Sequence, residues 1–498
     1  MILPACDIEA QLEAWVAQNL TPWLEAGLSS QEVATRLQQD YESDGAFCFF
    51  QICDGSVEID PATAVERPYM VDPTHMMGIR AHFFLSLLRD AVRLFGVQGS
   101  ARICLFVADE YVSDLRGPAF FFQKPEGGRG LLLPDIDLII LGYCADSDGR
   151  FGDPIPWEHK SEHAIFVGST TGNVPLTARH VQERTNARIR AATYFRGRSE
   201  VTFELPNICQ EDNGETRKLI ESLNIAGPGR SWAEQQHSRY QISLDGNGAT
   251  CARVAISLHS HSVLMKYSSP NILYYFEGIK PWEHYIPIIK DIDVLRALAD
   301  APRFEKMHHN IAMNSRQFAQ QFLTRYGILS YTARIIRSYI NAFGDDGGEI
   351  GERNNVALID SRTHLYGLGD HYAGFSGWNG SEGRAIEGFA LIPANGIIAD
   401  QLSYAAVAQD GTQFEVSDGG QYCGTRGRSL ALCGMSVALH DDIKAQYSLS
   451  VSERFADGYE RTSSGGDPLT PHSAPLTSFR IDVDPVLPKK SRKWWRFG

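Results

Sequence analysis

The residues best suited to hold a charged ligand form one short segment near the middle of the chain. Arg239–Leu244 has the pattern of a strand, Asp245-Gly246-Asn247-Gly248 that of a tight turn, and a helix carrying Arg253 near its start follows from Cys251. A glycine-bearing turn between a strand and a helix directs backbone N–H groups toward an anion, and an arginine can grip a diphosphate through two parallel hydrogen bonds. The competing interpretation is a tight turn beside a surface arginine. The spacing alone leaves both open, because short glycine motifs occur often by chance.

Elements that could position this segment begin upstream of it. An amphipathic run from His75 to Phe95 leads to the short apolar runs Ile103–Val107 and 134–141, which have the pattern of buried strands. Strands that alternate with helices imply an open parallel sheet. We therefore predict an α/β lobe over residues 1–155.

The same alternation restarts after a polar stretch near residue 150. A strand at Ala164–Val167 runs into Gly168-Ser169-Thr170, and an arginine-rich helical run follows over residues 177–193. A region of helical pattern over residues 290–343 closes the series. Residues 156–343 are thus predicted to form a second α/β lobe.

Composition changes beyond a glycine- and aspartate-rich linker near residue 345. Glycine becomes frequent and the apolar runs become short, which predicts a β-rich module over residues 350–455. Residues 456–498 are predicted to be a flexible tail that ends in the basic and aromatic run Lys489–Phe497. Cations beside indole rings suit an anionic membrane surface, and the alternative is a tail that only aids solubility.

Composition and charge restrict the partners. The 498-residue chain has 46 basic and 60 acidic residues, a formal charge of −14, which disfavours nucleic acid. Its nine cysteines contain no Cys-x-x-Cys pair, so we expect neither a zinc cage nor a disulfide framework, and a reducing, cytoplasmic location fits best. We expect no secretion signal and no membrane-spanning segment, because no run of about 20 apolar residues occurs.

Two stretches downstream of Arg253 carry a resemblance to a known family. The segment Ser262–Ser269 is a strand with a serine start, and Tyr274–Ile288 holds an aromatic pair followed by a proline-aromatic-x-His-Tyr-x-Pro block. In order and spacing, residues 238–288 resemble the signature of family 90 glycosyltransferases, the capsule-associated-protein type. The similarity extends upstream to the glycine-serine loop in Ile165–Gly172 and to the proline-aspartate strand at Pro134–Asp137.

The resemblance implies a fold, a reaction and a set of site residues. The implied fold is two Rossmann-like lobes (GT-B-like) with a UDP-sugar bound mainly by the second lobe, and the implied reaction is inverting, metal-independent sugar transfer to a hydroxyl. No cofactor is expected, since the UDP-sugar is itself a substrate. The implied nucleotide-sugar residues are Gly168, Ser169, Thr170, Asp245, Gly246, Arg253, Lys266 and Ser268.

This chain departs from the family pattern at one phosphate-facing arginine. Where eukaryotic members have a Phe-Arg-Gly triplet, the sequence here is Phe166-Val167-Gly168. We expect Arg179, Arg184 or Arg188 on the following helical run to take its place.

The second departure concerns the catalytic base. Inverting transfer needs a carboxylate that removes the proton of the acceptor hydroxyl as its oxygen attacks, and family members place it just after the proline-aspartate strand. Ungapped counting from Pro134 reaches Cys144, and the nearest carboxylates are Asp146, Asp148 and Asp153. Asp146 is preferred because it requires the smallest shift, although any of the three could be a solvated loop residue.

Two other functions remain open from the sequence. A metal-dependent GT-A-type transferase would use Asp135 and Asp137, or Asp146 and Asp148, to hold a divalent cation on the diphosphate. A non-catalytic glycan-binding scaffold would keep the fold without the reaction. The preferred prediction is transfer of glucose or xylose to a glycan, lipopolysaccharide or protein acceptor, in the cytoplasm or peripherally at the inner membrane face.

Overall fold

The computed structural model describes residues 5–140, 153–249, 251–344, 359–372, 378–381, 383–393 and 397–486. The chain divides into two compact units, Met1–Asn354 and Asn355–Gly498. In the described residues, no helix combines the length and the apolar character needed to cross a membrane.

The first unit is mixed α/β. Its helices are α1 Ala5–Leu24, α2 Ser30–Ser43, α3 Pro61–Glu66, α4 Met76–Leu94, α5 Ile136–Ile140, α6 Ala178–Gln182, α7 Ala187–Phe195, α8 Gly214–Ser222, α9 Trp232–Gln235, α10 Cys251–His259, α11 Asp291–Phe322 and α12 Arg325–Phe343. Its strands are β1 Phe47–Cys53, β2 Ser56–Ile59, β3 Ser100–Phe106, β4 Phe120–Phe121, β5 Lys124–Pro125, β6 Leu131–Leu132, β7 Ser161–Ser169, β8 Val201–Asn207, β9 Ser238–Ser243, β10 Val263–Tyr267, β11 Asn271–Ile272 and β12 Ile286–Ile288.

The first sheet differs from the parallel sheet predicted for the N-terminal lobe. Its order is β2-β1-β3-β4-β6, and β1 pairs antiparallel with both β2 and β3. Only the short contacts of β3 with β4 and of β4 with β6 are parallel. A hairpin at Asp54-Gly55, where both residues have positive φ, returns the chain directly from β1 to β2 instead of through a crossover helix.

The second sheet confirms the parallel arrangement predicted for the second lobe. All of its pairings are parallel, and its order is β12-β10-β9-β7-β8. Numbered along the chain, this is the doubly wound order 2-1-3-4-5. The apolar run at Ala164–Val167 forms the buried centre of β7, and Phe166 stacks on Phe203 of β8 at 4.3 Å between ring centroids.

Helices of the first unit follow the sequence signals closely. Ser29 and Glu32 form a capping box at the start of α2, which buries Val33, Leu37 and Tyr41. The helical pattern over residues 290–343 becomes α11 and α12. Of these, α12 packs against α1 and α4, so the C-terminal end of the unit returns to the helices of its N-terminal part.

The second unit is β-rich, as its composition predicts. Its strands are β13 Ile359–Leu365, β14 Gly369–Tyr372, β15 Asn379–Gly380, β16 Ile386–Pro393, β17 Leu402–Ala408, β18 Gln413–Val416, β19 Tyr422–Gly424, β20 Leu432–Leu439, β21 Tyr447–Phe455, β22 Glu460–Ser464 and β23 Leu476–Pro485. They form three antiparallel sheets around a shared apolar core.

The flexible tail predicted from residue 456 is wrong as far as residue 486. β22 and β23 both pair with β21, and the apolar positions of β23, Leu476, Phe479 and Ile481, are buried in the core. Phe479 and Ile481 alternate with the polar Arg480, which is typical of a strand with one buried face, and Leu476 joins the same core beyond a register shift in the pairing with β21. The basic and aromatic run Lys489–Phe497 lies outside the described residues.

Candidate functional site

The second sheet creates a crevice where its strand order reverses. β7 and β9 are neighbours in the sheet. From β7 the chain continues to β8 on one side, and from β9 it continues to β10 on the other side, so an opening lies between the carboxyl ends of β7 and β9. β7 ends at Gly168 and Ser169, and β9 is followed by the Asp245–Gly248 turn. Ligands of doubly wound folds bind at such a point.

A cavity of about 340 Å³ occupies this place. Gly168, Ser169, Gly246 and Arg253 line it from the second lobe. The N-terminal lobe supplies the opposite wall with Arg80, Asp109, Phe122, Gln123, Asp135, Ile136 and Asp137. The cavity is within the size range of small-molecule sites.

Arg253 is held rigidly at one wall of the cavity. Its side chain lies on the first turn of α10 and is 6% exposed. The guanidinium donates to the Gln235 side-chain oxygen (3.0 Å) and to the Val167 carbonyl, and its Cζ lies 4.5 Å from the Phe166 ring centroid and 4.7 Å from that of Trp232. The two rings therefore fix the plane of the guanidinium without neutralising its charge.

Arg188 supplies a second buried cation. It lies on α7, and its guanidinium donates to the carbonyls of Leu244, Asp245 and Ser169 and to the Thr171 hydroxyl (2.7 Å). Of the three arginines expected to replace the missing one, this is the one that lines the cavity. Arg179 instead forms an exposed ion pair with Glu183, and Arg184 is exposed.

The two arginines make the cavity a site for an anion. Burial lowers the pKa of Arg253 to about 9, with the charge of Arg188 acting in the same direction, and burial lowers that of Arg188 to about 10. Both remain cationic at neutral pH; within the described part of the chain Arg253 forms no ion pair with a carboxylate, and the charge of Asp245 offsets the burial of Arg188 only in part. A bound anion would offset the desolvation and the mutual repulsion of the two guanidinium groups.

The glycines of the turn are required by space. A Cβ atom on Gly246 would overlap the Thr171 hydroxyl and lie 2.9 Å from a terminal nitrogen of Arg188, and one on Gly248 would overlap the Gln123 amide. Neither glycine has a positive φ, so close approach rather than backbone conformation selects them.

The free N–H groups predicted at this turn are largely engaged. The N–H of Gly246 donates to the Gly248 carbonyl, that of Ala249 to the Gln123 side chain at 2.8 Å, and that of Ala252 to Asp137 at 3.2 Å. The last two bonds join the lobes. Anion binding at this site therefore depends on the arginines more than on the backbone.

The wall facing the arginines is acidic. Burial, followed by the charge of Asp137, raises the pKa of Asp135 to about 8, and one Asp135 oxygen has no hydrogen-bond partner. Burial also raises the pKa of Asp137, despite its bond from the Ala252 N–H. Asp109 beside them is paired with Arg80. A ligand with phosphates at one end and hydroxyls at the other matches this polarity.

Four residues implied by the resemblance do not line the cavity. The Thr170 hydroxyl is buried and bonds to Cys209, while Thr171 takes its place on the lining. Asp245 turns its carboxylate to the Ser269 hydroxyl, and the Lys266 ammonium lies 4.6 Å from the Phe276 ring centroid. Ser268 is exposed after β10.

The three candidates for the base divide into two groups. Asp146 and Asp148 lie outside the described residues. Asp153 is buried and forms an ion pair with Lys160 at 2.8 Å, and it also accepts from the His261 N–H at 2.8 Å. Lys160 immediately precedes β7 and His261 lies two residues before β10, so Asp153 lies at the amino edge of the sheet. At about 3.3 Å per residue, Lys160 is roughly 25 Å along β7 from Gly168. Asp153 is thus at the far edge from the cavity.

The comparison with known families agrees with this arrangement. Residues 153–344 match Glycosyl transferase family 90. They form a family 90 glycosyltransferase domain. The match contains both buried arginines and the whole parallel sheet, whereas Asp135 and Asp137 precede it.

Curated relatives of the family 90 domain are distant and partial. The chain is 29% identical over 102 residues to Protein O-glucosyltransferase 2 of Danio rerio, and 26% and 24% identical over 102 residues to Protein O-glucosyltransferase 3 of Mus musculus and Homo sapiens. Each alignment covers 20% of this chain and 20% of the relative, so the chain spans about a fifth of the length of these proteins.

Trp232 lines the cavity, and the sequence patterns do not single it out. Trp232 lies on α9, only four residues long, which has too little periodicity to stand out. Ser231 and Glu234 do form a capping box, and this was the available signal that a helix starts there. Asp135 and Asp137 were considered only as metal ligands, and their place on the cavity follows from the pairing of the lobes.

Proposed function

We propose that the protein is a glycosyltransferase that moves a sugar, glucose or xylose, from a UDP-sugar to a hydroxyl of an acceptor. The observation that carries the proposal is the pair of buried arginines, Arg188 and Arg253, which face one cavity at the switch point of the family 90 sheet. Sugar transfer leaves negative charge on the departing diphosphate, and two fixed cations stabilise that charge as it develops.

The finer features of the reaction are part of the same proposal. A GT-B-like arrangement of two lobes is supported by the doubly wound second sheet and by the cavity between the lobes, whereas the antiparallel strands of the first sheet depart from a Rossmann-like lobe. We propose inverting transfer without a metal ion, with Asp146 as the base and Asp148 as the alternative. Asp153 is a poor candidate because of its ion pair at the amino edge.

The acceptor and the location complete the proposal. The names of the relatives favour glucose as the sugar and a protein hydroxyl as the acceptor, and glycan and lipopolysaccharide acceptors are the alternatives. The cytoplasm, a reducing compartment, is proposed from the sequence, in which the nine cysteines are scattered and contain no Cys-x-x-Cys pair.

One observation favours a second candidate function. Asp135 and Asp137 line the same cavity as the arginines, and two carboxylates near a diphosphate are the ligands that a divalent cation would use in a metal-dependent transferase. Because they face the arginines across the cavity, Asp135 and Asp137 are equally well placed to contact the hydroxyls of a sugar.

Turnover separates these possibilities. Purified protein is incubated with UDP-glucose or UDP-xylose, and released UDP is measured with and without EDTA. We expect slow UDP release that EDTA leaves unchanged. Release abolished by EDTA and restored by Mg²⁺ or Mn²⁺ would favour the metal-dependent transferase, and no release with any UDP-sugar or acceptor would favour the non-catalytic scaffold.

A further inference from the structure

Three aromatic side chains among the described residues line the cavity. Phe122 is 6% exposed and Phe166 is 1% exposed, and Phe166 is further covered by Phe203 and by the Arg253 guanidinium. Trp232 is only half-buried. Of these three rings, Trp232 is therefore the one with a substantial area left for a ligand.

The position of Trp232 is coupled to that of Arg253. Gln235, at the other end of α9, accepts a hydrogen bond from Arg253 (3.0 Å) and donates one to the Arg230 carbonyl (3.2 Å). The Gln235 carbonyl also accepts from the side chain of Gln241 on β9 (2.6 Å). These bonds tie a helix of four residues to the sheet and hold the indole beside the cation.

We propose that Trp232 is the stacking platform for the nucleobase of the donor, an inference that rests on the proposed function. In a nucleoside diphosphate one ribose separates the base from the phosphates, so a base whose diphosphate is held by Arg188 and Arg253 falls next to them. The indole is an apolar surface in that place, and every nucleobase has a π face that stacks on such a ring.

The competing role for Trp232 is to hold Arg253 through its cation–π contact alone. The two roles differ in which part of the ligand they affect. A platform contributes only when a base is present, whereas a support for Arg253 contributes to any diphosphate.

The test compares UDP with inorganic pyrophosphate, both titrated by calorimetry into wild type, Trp232→Ala, Trp232→Phe and Trp282→Ala. Trp282 is 54% exposed and does not line the cavity, so its variant is the matched control. We expect Trp232→Ala to weaken UDP binding by about 5- to 150-fold and pyrophosphate binding by less than about twofold. Trp232→Phe should recover most of the UDP affinity, and the control should match wild type.

Each other result overturns the inference in a recognisable way. Equal weakening of UDP and pyrophosphate in Trp232→Ala assigns the residue to supporting Arg253, and unchanged UDP binding removes it from the site. If Trp232→Ala does not fold, Trp232→Phe still decides: quenching of tryptophan fluorescence by UDP should fall in this variant while UDP binds, and undiminished quenching counts against stacking. If wild type binds neither ligand, the proposed function itself fails and the inference with it.

Discussion

Replacing Asp153 by asparagine tests whether this carboxylate is structural or catalytic. The side chains of Asp153 and Lys160 are 1% and 0% exposed, and the ammonium bonds to the carboxylate and to the Gln236 carbonyl. Burial raises the pKa of Asp153, but the His261 imidazole and the Lys160 charge outweigh it and hold that pKa below its usual value. The ionised pair is therefore the stable state.

The cost of the substitution follows from the charge that it leaves behind. Asp153→Asn would leave the Lys160 ammonium buried without a counter-charge, which costs about 3–5 kcal/mol. At roughly 2 °C per kcal/mol for a unit of this size, we expect the Tm to fall by about 6–10 °C. The difference from wild type should shrink below about pH 4, since protonation of Asp153 removes the pair there as well.

A double variant separates stability from catalysis. Asp153→Asn combined with Lys160→Met removes the unpaired charge, and the remaining costs are the lost acceptor of the His261 N–H and the lost donor to the Gln236 carbonyl, about 1 kcal/mol each. Thermal melts by circular dichroism measure the stability, and UDP release from the UDP-sugar measures the activity. We expect the double variant to regain part of the Tm and to keep activity close to wild type.

Two results would refute this reasoning. A Tm unchanged in Asp153→Asn would mean that the ion pair does not support the fold. Activity at least about 100-fold below wild type in the stable double variant would make Asp153 the base, because loss of a general base typically costs about 10²–10⁴-fold. We expect this loss of activity in Asp146→Asn instead, measured in the same assay.

Two further predictions concern the cavity walls. The unfolded Asp135 carboxyl ionises near pH 4 whereas the folded one keeps its proton to about pH 8, so this group lowers wild-type stability progressively between those values. Asp135→Asn keeps the acceptor for the Leu138 N–H, so the variant should have a higher Tm than wild type, and the gain in Tm should be larger at pH 8.5 than at pH 4.5. A gain that is the same at both pH values, or larger at pH 4.5, would contradict the raised pKa of Asp135. Gly246→Ala should displace the Arg188 guanidinium and weaken UDP binding by about tenfold, because overpacking costs about 1–3 kcal/mol. The control is Gly214→Ala, whose new Cβ meets nothing within 4 Å, and calorimetry should show that it binds UDP as wild type does.

Local patterns predicted the second lobe well because each element is specified by its own residues. The run Ala164–Val167 is too short for a helix and too apolar for an exposed loop, and in the structure it forms the centre of β7. The turn at Asp245–Gly248 followed by the helix with Arg253 was predictable for the same reason. The strand order of the sheet was not, since it depends on pairings between residues far apart in the chain.

The walls of the cavity were harder to predict because several elements meet there. Arg188 was one of three arginines on one helical run, and the break between α6 and α7 decides which of them turns inward. The acidic wall comes from the N-terminal lobe, which reaches the cavity through Gln123 and Asp137. No spacing within either lobe encodes that contact.

The central claim is that Arg253 binds a nucleotide diphosphate, and equilibrium titration with UDP tests it most directly. Calorimetry compares wild type with Arg253→Ala and with Arg179→Ala, an exposed arginine outside the cavity, after melts show that both variants are folded. Loss of a buried charge-assisted contact costs about 2–5 kcal/mol, so Arg253→Ala should weaken UDP binding by at least about 30-fold and Arg179→Ala should not. UDP binding of equal strength in all three proteins, or none in wild type, would contradict the account.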